Sequence, residues 1–274
     1  MNKLLLSKII HYLLLIIGAL TFLYPFIWMV SATLKPENEI VNLSLIPSSF
    51  TLDSYRAVFD KIPIMRSFLN SLFVSSAITA SVLIFSSMVG YAMAHIPFKG
   101  KNAIFYVMLF TMMIPFQITL IPSYILIVKL GLADSYLALI IPFMVSSFGI
   151  FLFKQYFSSI PRDLIDAARI DGSSEIMILF RVVWPNAFPA LVTVGIITFM
   201  TTWNEVLWPL IVIREQEMMT MPQMVTLFAI GGSAESQQGV ILASAMLLAI
   251  PVIIVYIFFQ RYFIESMASS GGKG

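Results

Sequence analysis

The residues that could do chemistry are concentrated in one charged stretch, residues 161–189, which reads PRDLIDAARIDGSSEIMILFRVVWPNAFP between two apolar segments. Asp163 places a carboxylate in the first turn of a predicted helix, where the helix dipole favours negative charge. Arg162, Asp166 and Arg169 are separated by spacings of four and three, so they share one helix face and can form ion pairs. These groups suit the binding of a partner rather than bond cleavage.

The opposite face of the same predicted helix is apolar. Leu164, Ile165 and Ala168 recur at the spacing that places side chains on one side of a helix. Ala167 and Ala168 are small, so another surface can approach this helix closely. The stretch is therefore expected to form an amphipathic helix that rests on the rest of the protein and presents its polar side to a second protein.

A turn and a second short helix are expected to follow. Gly172 comes directly after Asp171 and can take the left-handed backbone conformation that ends a helix. A second helix is predicted over residues 174–184, with Pro185 as its stop, because proline lacks the N–H that continues a helix.

A second group of chemically capable residues lies near the end of the fifth apolar stretch. Glu205 is flanked by Trp203, Asn204 and Trp208, and it is the one strong charged exception inside the apolar stretches. Ionisable groups in a bilayer are costly and mark functional sites. Trp203, Asn204 and Glu205 therefore form a candidate substrate pathway, since an aromatic face beside an amide suits a sugar. The alternative is that the two tryptophans are interface anchors.

Several other kinds of chemistry are not predicted. The chain has no cysteine, which excludes disulfides and thiolate metal sites. His11 and His95 are far apart in the sequence, so no histidine cluster is expected to bind a metal. No GxxxxGK[ST] phosphate loop occurs, and no paired carboxylates or Ser/His arrangement supports an intramembrane enzyme. A transporter with this sequence would need an energy source from another protein.

Composition identifies the environment in which these groups work. Hydrophobic residues make up 59% of the chain and charged residues 11%, and the mean hydropathy is +0.93. A soluble domain carries about 25% charged residues, so this chain is an integral membrane protein. Its basic residues are scattered and form no stripe, which argues against nucleic acid as a partner.

Six apolar stretches are each long enough to cross a bilayer, which takes about 20 helical residues. The predicted fold class is therefore an all-α integral membrane protein with six transmembrane helices, at residues 9–33, 68–94, 103–128, 136–153, 188–213 and 239–259. The first stretch is too long for the apolar region of a signal peptide, so it is expected to be retained. Pro115, Pro122 and Pro142 are expected to kink the third and fourth spans. A short surface helix is predicted at residues 54–59, and a polar loop at residues 214–238.

The distribution of positive charge predicts the orientation. With both termini on the cytoplasmic side, ten Lys and Arg residues lie on that side and six on the other. This ratio agrees with the positive-inside rule. It also places the charged stretch on the cytoplasmic face, where ATP is available.

The charged stretch resembles a known loop in its order of acidic, small and proline residues: Asp166-Ala167-Ala168, then Asp171-Gly172, then Pro185 and Pro189. It is similar to the EAA loop of type I ABC importer permeases, with Asp166 in the place of the usual Glu and Gly172-Ser173-Ser174 in the place of Gly-Ala-Ser. The resemblance continues through Asn70-Ser71 at the start of the second span and FQRYF near the end of the chain. The maltose-type carbohydrate permeases are the most similar group.

This resemblance implies a domain organisation. Residues 1–69 would form the first transmembrane helix and the first extracytoplasmic loop. Residues 70–260 would form the five-helix transmembrane domain, with a coupling loop at 158–187. Residues 261–274 would be a cytoplasmic tail, in a multi-pass protein of a bacterial or archaeal cytoplasmic membrane.

The resemblance also implies partners and roles. The coupling loop would fit a cleft on an ATPase through Asp163, Asp166, Ala167, Ala168, Asp171 and Gly172. The expected partners are two copies of an ABC ATPase, a second homologous permease, an extracytoplasmic solute-binding protein and membrane lipid. The chain itself would need no cofactor, since ATP and Mg would be used by the ATPase. The implied function is import of a carbohydrate, either an oligosaccharide or a sugar derivative. The alternative is an ATP-independent carrier or channel for a small polar solute.

Overall fold

The computed structural model describes residues 3–42, 44–230 and 237–271, and within these ranges the secondary structure is helical, without strands. In chain order the α-helices are α1 Lys3–Thr33, α2 Asp53–Lys61, α3 Ile64–His95, α4 Lys101–Thr111, α5 Phe116–Lys129, α6 Tyr136–Ile140, α7 Ser147–Phe157, α8 Arg162–Ile170, α9 Glu175–Ile178, α10 Trp184–Asn186, α11 Phe188–Trp203, α12 Leu207–Val212, α13 Met221–Ile230 and α14 Gln238–Gly271. The last three residues of the predicted tail and Gly231-Gly232 of the predicted loop lie outside the described residues.

Three helices are long and apolar enough to span a membrane: Ser7–Thr33 in α1, Ile64–His95, and Gln238–Phe259 in α14. Three bent pairs of shorter helices also pass the same test, and they raise the number of spans among the described residues to six. The all-α membrane fold is as predicted. The number of spans reaches six when each bent pair counts as one, but the third pair joins Glu175–Asn186 to Phe188–Trp203, whereas the fifth predicted span covered residues 188–213.

The third predicted span is not a kinked continuous helix, which corrects the expectation for residues 103–128. The chain turns by 99° between Lys101–Thr111 and Phe116–Lys129. Pro115 is extended, with φ −60° and ψ 135°, and it precedes the first turn of α5. A residue before proline is disfavoured in the α conformation, so the helix ends before Ile114 rather than bending through it. The fourth span bends by 43° between Tyr136–Phe143 and Ser147–Phe157.

The fifth predicted span is also interrupted. Helix α11 ends at Trp203 and α12 begins at Leu207, so residues 204–206 form a break and Glu205 is not helical. The predicted polar loop at residues 214–238 contains a helix that the sequence reading missed, α13. By contrast, the predicted surface helix is present as α2.

Pro185 is predicted to stop the second loop helix, but the helix continues past it. After α9 the chain forms a π-helical turn, Leu179–Val183, and then α10, which contains Pro185. A proline ring clashes with the carbonyl four residues earlier in a regular α-helix. A wider π-turn relieves such a clash without breaking the helix. Only at Ala187 does the helix end, and Phe188–Trp203 then leaves at 90°.

The chain forms two compact units, Met1–Met65 with Met224–Ile250 and Arg66–Gln223 with Pro251–Gly274. In the first unit Lys35 is buried and donates to the carbonyl oxygen of Asn42 at 3.0 Å. The carboxylate of Glu37 accepts the backbone N–H of Gly239 at 3.2 Å, at the start of α14. These two contacts order the segment that follows α1.

The core of the second unit includes a close contact between α3 and α7. A Cβ atom at Gly90 would lie 2.6 Å from the Cβ of Phe153, and one at Gly149 would lie 3.3 Å from the Cβ of Ser86. The backbone N–H of Ser146 donates to Ser86 Oγ at 3.0 Å. Small residues four apart on membrane helices permit such close approach, and here they fix α7 directly before the charged loop.

Candidate functional site

The charged loop, residues 158–187, contains a short helix with a well-defined end. Helix α8 runs from Arg162 to Ile170, and Gly172 has φ +77°. The N–H of Gly172 donates to the carbonyl of Arg169, and the N–H of Ser173 donates to that of Ala168, both at 3.0 Å. These two bonds form a Schellman motif. The predicted left-handed conformation of Gly172 is confirmed, and it lets the chain reverse between α8 and α9.

A network of charges joins this loop to the end of α3. The guanidinium of Arg169 donates to Glu175 through Nε at 2.8 Å and through Nη2 at 3.2 Å, and to Asp166 at 3.0 Å. The hydroxyl of Tyr91, in α3, donates to the same carboxylate of Glu175. The Glu175 contact raises the pKa of Arg169 above its ordinary range, so this guanidinium stays charged. The loop is thus fixed by ion pairs as well as by packing.

The two faces of the loop differ as expected, except at one position. Ile165 is buried at 1% exposure, but Leu164 is exposed rather than packed beside it. Ile170 is 87% exposed, and Ile176 is also exposed. The predicted coupling residues lie mostly on the outer side of the loop: Asp163, Asp166, Ala167, Asp171 and Gly172 are exposed and Ala168 is half-buried. Exposed apolar side chains among carboxylates suit a protein partner.

The helix breaks surround a cavity of about 360 Å³, here called the helix-break cavity. Most of its wall is apolar, formed by aromatic and aliphatic side chains, and hydroxyl, amide and carboxylate groups are placed among them: Phe116, Phe143, Trp208, Val74, Ile78, Leu139 and Pro209, with Ser71, Ser75, Gln117, Thr201, Thr202, Glu205 and Thr220. Irregular backbone at membrane depth is tolerated where it is buried in protein or lines a water-filled cavity. A site of hydroxyls, amides and aromatic faces can bind a polyhydroxylated solute.

Of the three predicted pathway residues, only Glu205 lines this cavity. Its Oε1 accepts the backbone N–H of Trp208 at 3.1 Å, which fixes the carboxylate at the start of α12. Trp203 is fully buried at 0% exposure and packs on Phe68 and Phe199. Asn204 is exposed and donates to the carbonyl of Met200 at 2.7 Å. These two side chains do not line the cavity.

The interpretation of the two tryptophans as interface anchors is wrong. Trp203 and Trp208 have 0% and 1% exposure, so neither ring lies on the protein surface. The indole N–H of Trp208 donates to the carbonyl of Ala138 at 2.9 Å, inside the protein. Trp208 instead forms part of an aromatic cluster with Phe116 and Phe143 on one wall of the cavity.

Thr220 is a cavity residue that the sequence reading missed. It is 5% exposed, and its Oγ1 has no hydrogen-bond partner among the described residues. A buried hydroxyl without a partner costs about 1–3 kcal/mol. Because Thr220 lines the helix-break cavity, this hydroxyl can be satisfied by water or by a solute. Its position, just before a helix that was not predicted, gave no signal in the sequence.

Comparison with known proteins agrees with this architecture. The family described as "Binding-protein-dependent transport system inner membrane component" matches residues 62–269. The arabinooligosaccharides transport system permease protein AraQ of Bacillus subtilis (strain 168) is 38% identical over 93% of this chain and 92% of its own length. The lactose transport system permease protein LacG of Rhizobium radiobacter is 31% identical over 97% and 96%. A chain from the solved structure of a bacterial ABC transporter that imports the acidic polysaccharide alginate has 28% identity and a TM-score of 0.82, covering 96% of this chain and 99% of that one.

Proposed function

The chain belongs to the family of inner membrane components of binding-protein-dependent transport systems, and from that membership we propose that it is the permease subunit of an ATP-driven carbohydrate importer. Its relatives transport arabinooligosaccharides and lactose, and the matching structure comes from an importer of a polysaccharide. An oligosaccharide or a sugar derivative is therefore the proposed cargo. The polar and aromatic lining of the helix-break cavity supports this class of solute.

The charged loop is the observation that carries the proposal of ATP-driven transport. Its outer side carries Asp163, Asp166 and the apolar Ile170, which suits docking into a cleft of an ATPase subunit. Its inner side is hydrogen-bonded to α3, because the hydroxyl of Tyr91 donates to the carboxylate of Glu175. A movement of the docked α8 would therefore reach a membrane-spanning helix directly. ATP would bind and be hydrolysed, with Mg, on the ATPase.

The proposed assembly contains this chain, a second homologous permease, two copies of the ATPase and an extracytoplasmic solute-binding protein. Both termini would lie on the cytoplasmic side, in agreement with the distribution of Lys and Arg. When the two ATPase subunits close on ATP, each would carry one coupling helix with it. The permeases would then change from an inward-open to an outward-open arrangement.

Asp166 would have a double role in this mechanism. It already pairs with Arg169 at 3.0 Å, and its side chain is 58% exposed. An exposed carboxylate can accept a hydrogen bond from a cation of the ATPase while its other oxygen remains on Arg169. Asp163 and Asp171 add negative charge on the same exposed side.

Glu205 would provide the polar contact for the solute on this subunit. Its position in the break between α11 and α12, at the wall of the helix-break cavity, supports this role. Trp203 would act by holding the end of α11 in place rather than by touching the solute, because its ring is buried. Asn204 would cap the same helix end through its bond to Met200.

The test of this proposal is a pair of substitutions at Gly172. A Cβ atom there meets no neighbour within 4 Å, so the backbone φ of +77° is the main constraint. Gly172→Val should abolish ATP-dependent uptake and reduce recovery of the ATPase with the purified permease, because a β-branched residue resists the left-handed conformation. Gly172→Asn should retain most of the ATP-dependent uptake and most of the ATPase recovery, since Asn tolerates the left-handed conformation.

Both variants should insert into the membrane at the parental level, which immunoblotting of membrane fractions measures. Parental uptake by Gly172→Val in reconstituted vesicles would show that the loop does not couple ATPase and permease.

A further inference from the structure

A second, smaller cavity of about 220 Å³ lies where α3 ends, α4 begins and α8 passes beside them. This basic pocket is lined by Ala94, His95, Pro97, Lys101, Arg162, Ile165, Asp166 and Arg169. All of these residues lie in one compact unit, Arg66–Gln223. The transport function proposed above assigns no role to Lys101 or Arg162.

The charges around the basic pocket are not balanced. Three cations and one carboxylate line it, which leaves a formal charge of 3 − 1 = +2 with His95 neutral. The carboxylate, Asp166, is paired with Arg169, and Arg169 is also paired with Glu175. The positive charge of Arg169 is therefore balanced by these two carboxylates, and the excess positive charge belongs to Lys101 and Arg162.

Among the residues that the structure describes, neither of these two cations has a carboxylate partner. The ammonium of Lys101 donates to the carbonyls of Ala94 and Ile96, at 3.3 and 3.2 Å. The side chain of Arg162 makes no hydrogen bond or ion pair within the described part of the chain. Lys154 lies close enough to repel Lys101 as well. A half-enclosed site with an unpaired guanidinium and an ammonium favours an oxyanion, and a phosphate group is the common one.

The position of the pocket indicates the source of that phosphate. His95 is the last residue of a membrane-spanning helix, and Lys101 is the first residue of the next apolar helix. Ile104 lies one turn after Lys101 on the same side of α4, and both Ile104 and Val107 are exposed. A cation at a helix end above an exposed apolar surface matches a phospholipid, with the headgroup at the cation and the acyl chain along the helix.

We propose that the basic pocket binds the phosphate group of an anionic phospholipid, with Lys101 and Arg162 as its ligands. The acyl chains lie along the exposed side of α4, past Ile104. The bound lipid fixes the start of α8 at the membrane surface, next to Asp163. This proposal depends neither on the cargo nor on the ATPase, so its failure would leave the transport function intact.

The test measures lipid binding to the full-length chain purified in a neutral detergent. Native mass spectrometry gives the dissociation constants for phosphatidylglycerol, for phosphatidylcholine and for inorganic phosphate alone. We expect phosphatidylglycerol to bind more tightly than the other two. Arg162→Gln should weaken its binding about fivefold, and the Lys101→Gln/Arg162→Gln double variant about 25-fold, since a cation near an anionic lipid surface contributes about fivefold in affinity.

Lys99→Gln is the matched control. Lys99 is exposed in the same turn as Lys101 but does not line the basic pocket, so its removal should leave phosphatidylglycerol binding within twofold. The side chain of Arg162 has no hydrogen-bond or ion-pair partner among the described residues, so the thermal midpoint of Arg162→Gln should equal that of the parental chain. This single variant therefore gives a readable result even if Lys101→Gln disturbs the turn.

Four outcomes would overturn the proposal. Equal affinity for phosphatidylglycerol and phosphatidylcholine would show that Lys101 and Arg162 do not recognise the net negative charge of the headgroup. Inorganic phosphate binding as tightly as phosphatidylglycerol would make the pocket a site for free phosphate. Unchanged phosphatidylglycerol binding by Arg162→Gln would remove Arg162 as a ligand. If that variant instead lost only the ATPase, Arg162 would belong to the protein interface.

Discussion

The hydroxyl of Thr220 differs from those of Thr193 and Thr79, two other threonines of the second compact unit. Thr193 and Thr79 are half-buried, and each donates its hydroxyl to a carbonyl of its own helix, at 2.8 and 2.7 Å. Such back-bonding is the usual way to satisfy a hydroxyl in a membrane helix. Thr220 has no such bond among the described residues, and it lines the helix-break cavity. A hydroxyl left unsatisfied in the empty protein is available for a solute.

Replacing this hydroxyl by an isosteric methyl should separate stability from transport. Thr220→Val removes a buried, unpartnered group, so the free energy of unfolding should stay the same or rise by about 1 kcal/mol. Uptake should fall severalfold at low solute concentration, because a solute hydroxyl then loses its contact. The measurements are thermal unfolding in detergent and uptake by vesicles that contain the whole transporter.

Thr193→Val is the control for this prediction. Its hydroxyl is already bonded to the carbonyl of Pro189 and does not line the cavity, so uptake should be unchanged. A Thr220→Val protein that unfolds more easily and transports normally would mean that the hydroxyl has a structural partner and no role with the solute.

The sequence could predict those site residues whose roles depend on local geometry. The left-handed Gly172 and the exposed carboxylates of α8 follow from spacing within one helix and one turn. The bond between Tyr91 and Glu175 joins residues 84 positions apart, and no local pattern reports such a pair. Trp203 was misassigned because lipid-facing and protein-facing positions in a membrane protein are both apolar.

At the scale of helices, the contact between α3 and α7 leaves no room for an added methyl group. The Cβ of an alanine at Gly90 would be 2.6 Å from Phe153 Cβ and 3.2 Å from the backbone nitrogen of Lys154. Neither atom belongs to the flexible end of a side chain, so the two helices would have to separate. Gly90→Ala should destabilise the protein by about 1–3 kcal/mol, the usual cost of overpacking, as measured by thermal unfolding in detergent.

A glycine-to-alanine substitution in α1 should have the opposite effect on stability. Gly18 lies in α1 with no atom within 4 Å of its would-be Cβ. Gly18→Ala should be neutral or stabilise by about 0.5–1 kcal/mol, because alanine favours a helix over glycine. Destabilisation of equal size in both variants would mean that loss of glycine flexibility, rather than the α3–α7 contact, sets the cost.

Hydropathy located the apolar segments but not their breaks. The third stretch is apolar throughout, yet it turns by 99° before Pro115. Hydropathy does not predict this turn, because it is insensitive to the backbone restriction that proline imposes on its neighbour. The fifth stretch is interrupted at residues 204–206 with no proline in the break. The helix-break cavity was therefore not predictable, since its wall is formed where separate breaks meet in the folded chain.

For the whole molecule, dependence on a separate ATPase distinguishes the importer from an ATP-independent carrier or channel. Vesicles that contain only this chain should take up carbohydrate no faster than empty vesicles. Uptake should appear when the second permease, the ATPase, the binding protein and ATP are all present. A carrier or channel would instead equilibrate the solute with this chain alone, and that result would contradict the importer. Replacing ATP by a non-hydrolysable analogue is the control for energy coupling.

The π-helical turn Leu179–Val183 also affects how the chain tolerates a change in length. A π-turn holds about one residue more than an α-turn, and each residue of an α-helix adds about 100° of rotation. Deleting one residue there would let the backbone form an uninterrupted α-helix and would leave Trp184 facing Ser87, whose Oγ accepts its indole N–H at 3.1 Å. A deletion within the regular α-helix Phe188–Trp203 would instead rotate every later residue of that helix by about 100°. Single-residue deletions are therefore expected to be far less harmful within Leu179–Val183 than within Phe188–Trp203.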